Sequence, residues 1–418
     1  MNLKMDHIMD PKKIGLILIN KCLISKSTNL HKIIDLGIHP FADTFIKKNQ
    51  LHLMEPVYPL QCYLCIKTGA IQLKYFTDSN MRYNLYDYSY TSSNSNYSRS
   101  HWDDYFYNVR NKLNLNKKAK ILEIGSNDGY LLNKFNINDY LAVGVDSSKL
   151  MTKISRKKGL KSYNEIFDLK FSKILKNKYS FFDVIIANNV LNHSNDPLNF
   201  VKGVKNLMNN NSTFIFELPY WYDTIKTERY DQIYHEHVTY FTIKFAKNLF
   251  SKCGMYISDI QKNSYHGGSI RLYCKKKYKN YREFKLVKKM ILKEEKKGLF
   301  NPDFYKIFMR KVENKRNNLL TKILKIKNSR GVIIGFGAAA KGNTFLNYHK
   351  LDNSLITYVT DPSIYKKGKY TPLSRIPIVG DNILSKYKKV HGLMLSWNIS
   401  NDIIKKLKKI NKNLVIIK

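Results

Sequence analysis

The twelve residues Ile121-Leu-Glu-Ile-Gly-Ser-Asn-Asp-Gly-Tyr-Leu-Leu132 restrict the fold more than any other stretch of the chain. A short apolar run breaks at a glycine, turns through polar residues to a second glycine, and resumes with helix-forming residues. That pattern is a buried strand, a tight turn and the start of a helix. Further apolar runs at Ala142–Asp146, Val184–Ala187 and Phe214–Glu217 end in polar or acidic residues. Strands alternating with helical stretches across residues 118–275 predict a mainly parallel sheet with crossover helices. Gly331 opens a second strand–turn–helix unit, and the same rhythm runs to the C-terminus. Residues 1–80 mix short apolar runs with Gly, Pro and cysteines. A chain of 418 residues exceeds one ordinary domain. The expected class is therefore α/β: a small domain over 1–80, a Rossmann-like domain over 81–276, and a helical connector with a second Rossmann-like domain over 277–418.

Charge is the feature most able to mislead. A formal net charge of +40 suggests phosphate-rich partners. The excess is mainly Lys, however, and Asn, Ile, Tyr and Phe are abundant too, a mixture that an A+T-rich genome produces. A solvated lysine surface is the simpler reading, and nucleic acid is not the expected partner. Residues 275–330 carry 20 Lys/Arg against 5 Asp/Glu. Within them Ile307, Phe308, Val312, Leu319, Leu320, Ile323 and Leu324 approximate one helix face, as an amphipathic connector does. Five cysteines, an odd and sparse set, give no secreted disulfide framework and fit a reducing compartment. No stretch approaches the ~20 apolar residues of a membrane helix. The run Ile14–Ile19 is too short for a signal-peptide core, so a cytoplasmic protein without a membrane partner is expected.

Gly125 and Gly129 can take positive φ and let the backbone come close to a ligand. Glu123 stands in the strand, where a carboxylate is costly unless amides meet it. About twenty residues on, Val143-Gly-Val-Asp146 closes the next strand with an acid placed to accept the hydroxyls of an adenosine ribose. The E-x-G-x-x-x-G spacing differs from the dinucleotide G-x-G-x-x-G and points to S-adenosylmethionine. A Rossmann-like methyltransferase domain of class I follows. Glu123, Gly125, Asn127, Gly129, Asp146 and Asn188 are the expected donor contacts.

Ligands of open α/β sheets bind beyond the carboxyl ends of the strands. Asn188, Asn189 and His193 fall there, as does Glu217. The Asn/Asp-Pro-Pro-Tyr motif that holds a planar nitrogen is absent, which speaks against base methylation. Next comes Tyr234-His-Glu-His237. If this segment is helical, Tyr234 and His237 share a face. Forming a C–C bond from a methyl sulfonium needs a carbanion equivalent, and a neutral imidazole has a suitable pKa to remove a proton alpha to a carbonyl. Glu236 would orient an imidazole, and His193 or a tyrosine would donate to the enolate oxygen. A metal site or a satisfied core histidine is the bland alternative.

These segments together resemble the sugar C-methyltransferase family, whose members methylate C3 of nucleotide-linked 4-ketohexoses. The likeness covers nearly the whole chain: Asp35-Leu-Gly37, His39-Pro-Phe-Ala42, Tyr58-Pro-Leu60, Gly69-Ala-Ile-Gln-Leu73 and Asp87-Tyr-Ser-Tyr-Thr-Ser-Ser93 come first. Glu123–Gly129, Ala187-Asn-Asn-Val190, Ile233-Tyr-His-Glu-His237, His266-Gly-Gly-Ser269, Gly335-Phe-Gly-Ala-Ala-Ala-Lys-Gly-Asn-Thr344 and Tyr370-Thr-Pro372 follow. The resemblance implies His237 as general base, with Tyr234, Glu236, His193 and Tyr90 around the ketosugar. It also implies a C-terminal lobe closing over a nucleotide-diphosphate sugar, with His266, Arg271, Lys341 and Asn343 as acceptor contacts.

One departure from the family pattern, and one motif open to a second reading, bear on this. Family members carry a zinc held by two CxxC pairs, whereas here the pairs read Cys22-Leu-Ile-Ser25 and Cys65-Ile-Lys-Thr68. Only Cys22 and Cys65 of four expected thiolates remain, and structural zinc wants four ligands. No metal is therefore expected, unless Cys62 with His31 or His39 completes a rearranged site. Gly335-x-Gly-x-x-Ala340, with Asp361 about twenty residues later, imitates a nicotinamide fingerprint. An NAD(P)-dependent sugar-nucleotide enzyme is accordingly the second reading, and a basic nucleic-acid-binding methyltransferase the third. Lys341 after that turn fits an anionic diphosphate instead.

Overall fold

The computed structural model describes residues 16–79, 82, 91–93 and 95–417. Its centre is a seven-stranded sheet of β1 (Lys120–Ile124), β2 (Leu141–Asp146), β3 (Lys161–Asn164), β4 (Val184–Asn188), β5 (Thr213–Pro219), β6 (Met255–Asn263) and β7 (Ser269–Lys276). The strands lie in the order β6-β7-β5-β4-β1-β2-β3. Only β7 runs antiparallel to its neighbours, inserted between β5 and β6. All four strands expected from the apolar runs lie within this sheet. Alternate side chains point to opposite faces. Leu122, Val143, Ile185 and Phe214 therefore enter one core, while Ile121, Ala142, Ile186 and Ile215 enter another beneath the helix Asn96–Leu113.

A second, wholly parallel sheet comprises β8 (Ile333–Phe336), β9 (Tyr358–Thr360), β10 (Ile378–Val379), β11 (Val390–Met394) and β12 (Leu414–Ile416). Its order, β10-β9-β8-β11-β12, is that of a Rossmann half-fold with two further strands. The basic stretch before it forms the helices Lys285–Lys297 and Pro302–Asn328. The longer one rises ~40 Å at 1.5 Å per residue. Tyr305, Phe308 and Val312 enter the N-terminal core beside Leu36 and Leu60, and Ile323 enters the C-terminal core beside Ile333. Ile307 and Leu324, expected on the buried face, are exposed because each lies one position off that stripe.

The N-terminal sheet pairs His31–His39 with Tyr58–Cys65 and that strand with Ala70–Leu73. Its fourth strand, Thr239–Tyr240, comes from just beyond the Tyr-His-Glu-His segment. Farther on, Lys369–Tyr370 pairs with Ile46–Lys47, and Arg375 bonds Glu55 at 3.0 Å. Three regions of sequence are thus stitched at their shared edge.

Candidate active site

The turn after β1 has the geometry its glycines permit. Gly125 and Gly129 have φ of +73° and +77°, and Asn127 joins them at +50°. Asp146, ending β2, holds the turn: its Oδ2 accepts from the Asn127 amide and its Oδ1 from the Ser148 amide, both at 2.8 Å. Each oxygen keeps a second lone pair for a ribose hydroxyl. Burial pushes the Asp146 carboxyl up to about 6. The space beside Gly125 belongs to the protein, since a Cβ there would stand 2.1 Å from Val190 Cγ2. A Cβ on Gly129 would meet Leu160 and Ser155. The glycines take the positive φ expected of them, and the space beside each is filled by protein side chains. Ser92 donates its amide to Asn127 Oδ1 (2.8 Å) and its hydroxyl to Asp128 (2.5 Å). At the strand ends Glu123 Oε2 and Ser126 Oγ are buried without a protein partner. Burial, then Asp128 and Asp146, hold the Glu123 carboxyl well above its ordinary range. Unsatisfied polar atoms beside a positive-φ glycine turn fit a polar, adenosine-bearing donor.

The acceptor side is built by a turn, not a helix. The His237 amide donates to the Tyr234 carbonyl at 2.9 Å, closing a four-residue turn that brings positions i and i+3 together. The segment is not helical, yet the Tyr234–His237 pairing that a helix would have given is present. The Leu73 amide then takes the Val238 carbonyl, drawing the chain into the N-terminal sheet. His237 Nδ1 lies 3.0 Å from the Gln232 carbonyl, which can only accept. The lone pair is therefore on Nε2, which accepts from the Tyr234 hydroxyl at 2.6 Å. His193 packs edge-on against His237, with ring centroids 4.8 Å apart, and its Nδ1 is buried without a partner. Burial, with Arg82 and Lys341 adding positive charge, pushes His237 down to about 3.

Glu236 does not orient an imidazole. Its Oε1 accepts from the Asp43 amide at 3.1 Å, and its Oε2 is buried and unpartnered. Burial raises this carboxyl to about 7. His235 faces the other way, with Nε2 at the Pro59 carbonyl and its ring edge-on to Phe41 and Tyr58. It is the core histidine of the pair, although its Nδ1 is buried without a hydrogen-bond partner among the described residues. Arg82, unremarked in the sequence, ties the site together. It donates to the carbonyls of His193 (2.9 Å) and Glu236 (3.3 Å), and to Thr77 and Asn195.

The remaining expected residues divide. Lys341, at the start of helix Ala340–Tyr348, lies over the Trp397 ring at 4.2 Å and bonds Asn398. Trp397 donates to Asp231 at 2.5 Å, and Arg229 also stacks on it. His266 is close enough for Lys341, His101 and His237 to hold its imidazole well below its ordinary range, after burial. Gln232 links the two segments by donating to the His266 carbonyl. Arg271 is committed elsewhere: it pairs with Glu217 through Nε and Nη2, both at 2.8 Å. Asn343 gives its Nδ2 to the Ala42 carbonyl and leaves Oδ1 unpartnered. Asn188, at the end of β4, lies beside Tyr105 and is half-buried. Tyr90 lies outside the described residues. The C-terminal glycine turn is also closed by protein. Cβ atoms on Gly335 and Gly337 would meet Leu395 and Ser396, and Asp361 takes the Ala338 and Ser363 amides.

The four positions read as degenerate metal ligands do converge. Cys22 Sγ lies 3.3 Å from Thr68 Oγ1, and Ser25 Oγ 3.7 Å from Cys65 Sγ. The two thiols hydrogen-bond each other, so Cys22 is pushed below its ordinary value and Cys65 above it. Two thiols and two neutral hydroxyls do not fit a structural zinc. Cys62 lies apart in the N-terminal core, with its thiol raised by burial. Among the described residues no group of three or more His, Cys, Asp or Glu could hold a metal ion. No helix among them is long and apolar enough to cross a membrane.

The β6-β7-β5-β4-β1-β2-β3 order, its single antiparallel strand and the glycine turn with its following acid define a class I S-adenosylmethionine-dependent methyltransferase fold. Family models agree along the chain: a zinc binding domain matches residues 22–83, a methyltransferase domain 101–258, and a C-methyltransferase C-terminal domain 264–415. The C-methyltransferase NovU of Streptomyces niveus is 22% identical over 395 residues, 94% of each chain. A methyltransferase from Clostridium acetobutylicum superposes with a TM-score of 0.35 at 17% identity, over 44% of this chain and 94% of that one. The Synechocystis magnesium protoporphyrin IX methyltransferase does so with a TM-score of 0.32 at 13% identity, over 43% and 79%. Along most of its length the chain is similar to C-methyltransferases, and it is an S-adenosylmethionine-dependent methyltransferase.

Proposed function

We propose that the enzyme methylates the carbon alpha to the ketone of a nucleotide-linked ketodeoxysugar, through an enolate. The observation that carries this reading is the Tyr234–His237 pair, in which the Nε2 lone pair is aimed at the Tyr234 hydroxyl, beside His193 and the cation Lys341. Bound S-adenosylmethionine supplies an electrophilic methyl group. Glu123, Asn127, Asp146 and Asn188 are the side chains that would hold it, on the turn that Gly125 and Gly129 make possible. His237 is the base, acting through Tyr234: the Tyr234 oxygen takes the alpha proton as its own hydrogen passes to His237 Nε2. His193 stands next to them to donate to the enolate oxygen.

A base held near 3 is poorly matched to neutral pH. Two of the causes that depress it are positive charges, on Arg82 and Lys341. An anionic diphosphate docking at Lys341 offsets that charge, so acceptor binding itself raises the basicity of His237. Similarity to the C-methyltransferase NovU supports carbon as the methylated atom, and the motifs shared with sugar C-methyltransferases support a sugar acceptor. Within this reading residues 1–80, 81–276 and 277–418 are the three functional parts, the work is cytoplasmic, and Ser25 and Thr68 mark a lost zinc. The test is a panel of nucleotide-linked ketosugars with isotope-labelled donor, read by mass spectrometry. Label should appear on the carbon alpha to the ketone; label on oxygen or nitrogen, or on no member of the panel, would overturn it.

A further inference from the structure

Helix Asn96–Leu113 begins near the carboxyl ends of the central strands, and His101 lies in its second turn. Its Nε2 stands 2.6 Å from Glu217 Oε1, while the other carboxylate oxygen takes both Arg271 contacts. Glu217 and Arg271 are directly opposed across β5 and β7, and both are buried. The imidazole lies flat on Tyr265, with centroids 3.8 Å apart and planes 1° apart. Tyr265 adjoins His266, which senses both His101 and His237. His101 thus belongs to the acceptor half of the cleft, and no motif in the sequence singled it out.

A carboxylate offers only acceptors, so Nε2 carries a hydrogen toward Glu217, and Nδ1 is the ring nitrogen left to accept when the ring holds a single hydrogen. Among the described residues Nδ1 has no protein hydrogen-bond partner, and the side chain keeps 13% exposure. A buried ion pair is costly to maintain, and hydrophobic residues could pack the same space. Here the pair fixes one tautomer and one orientation of a ring with an unused nitrogen. A ring serving packing alone needs neither.

We propose that His101 is a further acceptor-contacting residue: its Nδ1 accepts a hydrogen bond from a sugar hydroxyl and turns the carbon to be methylated toward Tyr234 and His237. This rests on the ketosugar reading above. Two substitutions separate the ring nitrogens. His101→Asn keeps a polar atom near Nδ1 but cannot reach Glu217, whereas His101→Gln keeps the Glu217 bond and loses the other. With a thymidine-diphosphate 4-keto-6-deoxyhexose as probe, His101→Gln should raise the acceptor KM at least tenfold without changing donor affinity, and His101→Asn should raise it less. If Gln restores the wild-type KM and Asn does not, His101 only braces Glu217, and the inference is wrong. If the wild type methylates no nucleotide ketohexose, the ketosugar reading fails instead. Imidazole ¹⁵N spectra of the free wild-type protein then decide about His101, as they do if a variant misfolds. A bare Nδ1 supports the proposal, and a hydrogen on Nδ1 overturns it.

Discussion

His235 and His237 stand two positions apart in one tetrapeptide, and their sequence neighbours do not distinguish them. The turn does. It sends His235 between Phe41 and Tyr58 and hands His237 to Tyr234. The resemblance to sugar C-methyltransferases selected His237, and geometry gives an independent reason for the choice. Removing a general base costs typically ~10²–10⁴ in rate. His237→Ala is therefore expected to slow exchange of the alpha proton with deuterated solvent by at least ~10², with donor affinity unchanged. NMR of the ketosugar in the presence of enzyme measures that step without methyl transfer. Exchange as fast as in the wild type would move the role to another group, and His193 is next in line. Other residues of the site were hidden for a physical reason. Arg82 and His101 act through partners more than 100 positions away, at His193 and Glu217. A lone arginine or a helical histidine carries no local mark of such a partner.

At the scale of elements, strand–turn–helix units were the most legible, because glycine placement and apolar runs are local properties. Both such units lie where the spacing put them. What the spacing could not say is why the glycines are needed. Gly125 has positive φ and touches Val190, so two penalties add in any variant. A left-handed side chain costs roughly 1–2 kcal/mol, and overpacking ~1–3 kcal/mol more. Gly125→Ala should lower unfolding free energy in urea by about 2–5 kcal/mol on these terms and weaken donor binding. Adding Val190→Ala relieves only the clash, so the double variant should be less destabilised than the sum of the single ones. Strict additivity would show that Val190 is not the obstacle. The cysteine element yields a simpler expectation. With hydroxyls at Ser25 and Thr68, the purified protein should hold no stoichiometric zinc by elemental analysis. Restoring thiols with Ser25→Cys and Thr68→Cys should recover binding of about one equivalent, since the four positions already converge. A tightly held zinc in the wild-type protein would refute this.

The whole molecule sets the charge that the active site feels. Each of three regions supplies part of the seam: Thr77 and Arg82 precede the central sheet, Tyr234 and His237 lie between two of its strands, and Lys341 and Trp397 come from short helical segments that follow strands of the second sheet. Such convergence is illegible in a single sequence, because it depends on how separately folded layers dock. The basic composition concealed it further by surrounding the lysine that the proposed function invokes with dozens of others. Lys341 is the exception, since burial lowers it to about 8 and Asp231 draws it back up. Lys341→Met keeps a stem of similar length over Trp397 and removes the charge. Losing a charge-assisted contact to a diphosphate is worth about 1.5–3 kcal/mol, or roughly a 10- to 100-fold rise in acceptor KM. Donor affinity should not change, because the adenosine turn lies on the other side of β4. The same charge depresses His237, so its removal raises that imidazole toward its ordinary value. A base must be unprotonated to work, and activity is lost below its pKa. The acid limb of kcat/KM should therefore move to higher pH in Lys341→Met. A limb that stays in place alongside an unchanged acceptor KM would mean that Lys341 neither docks the acceptor nor tunes the base.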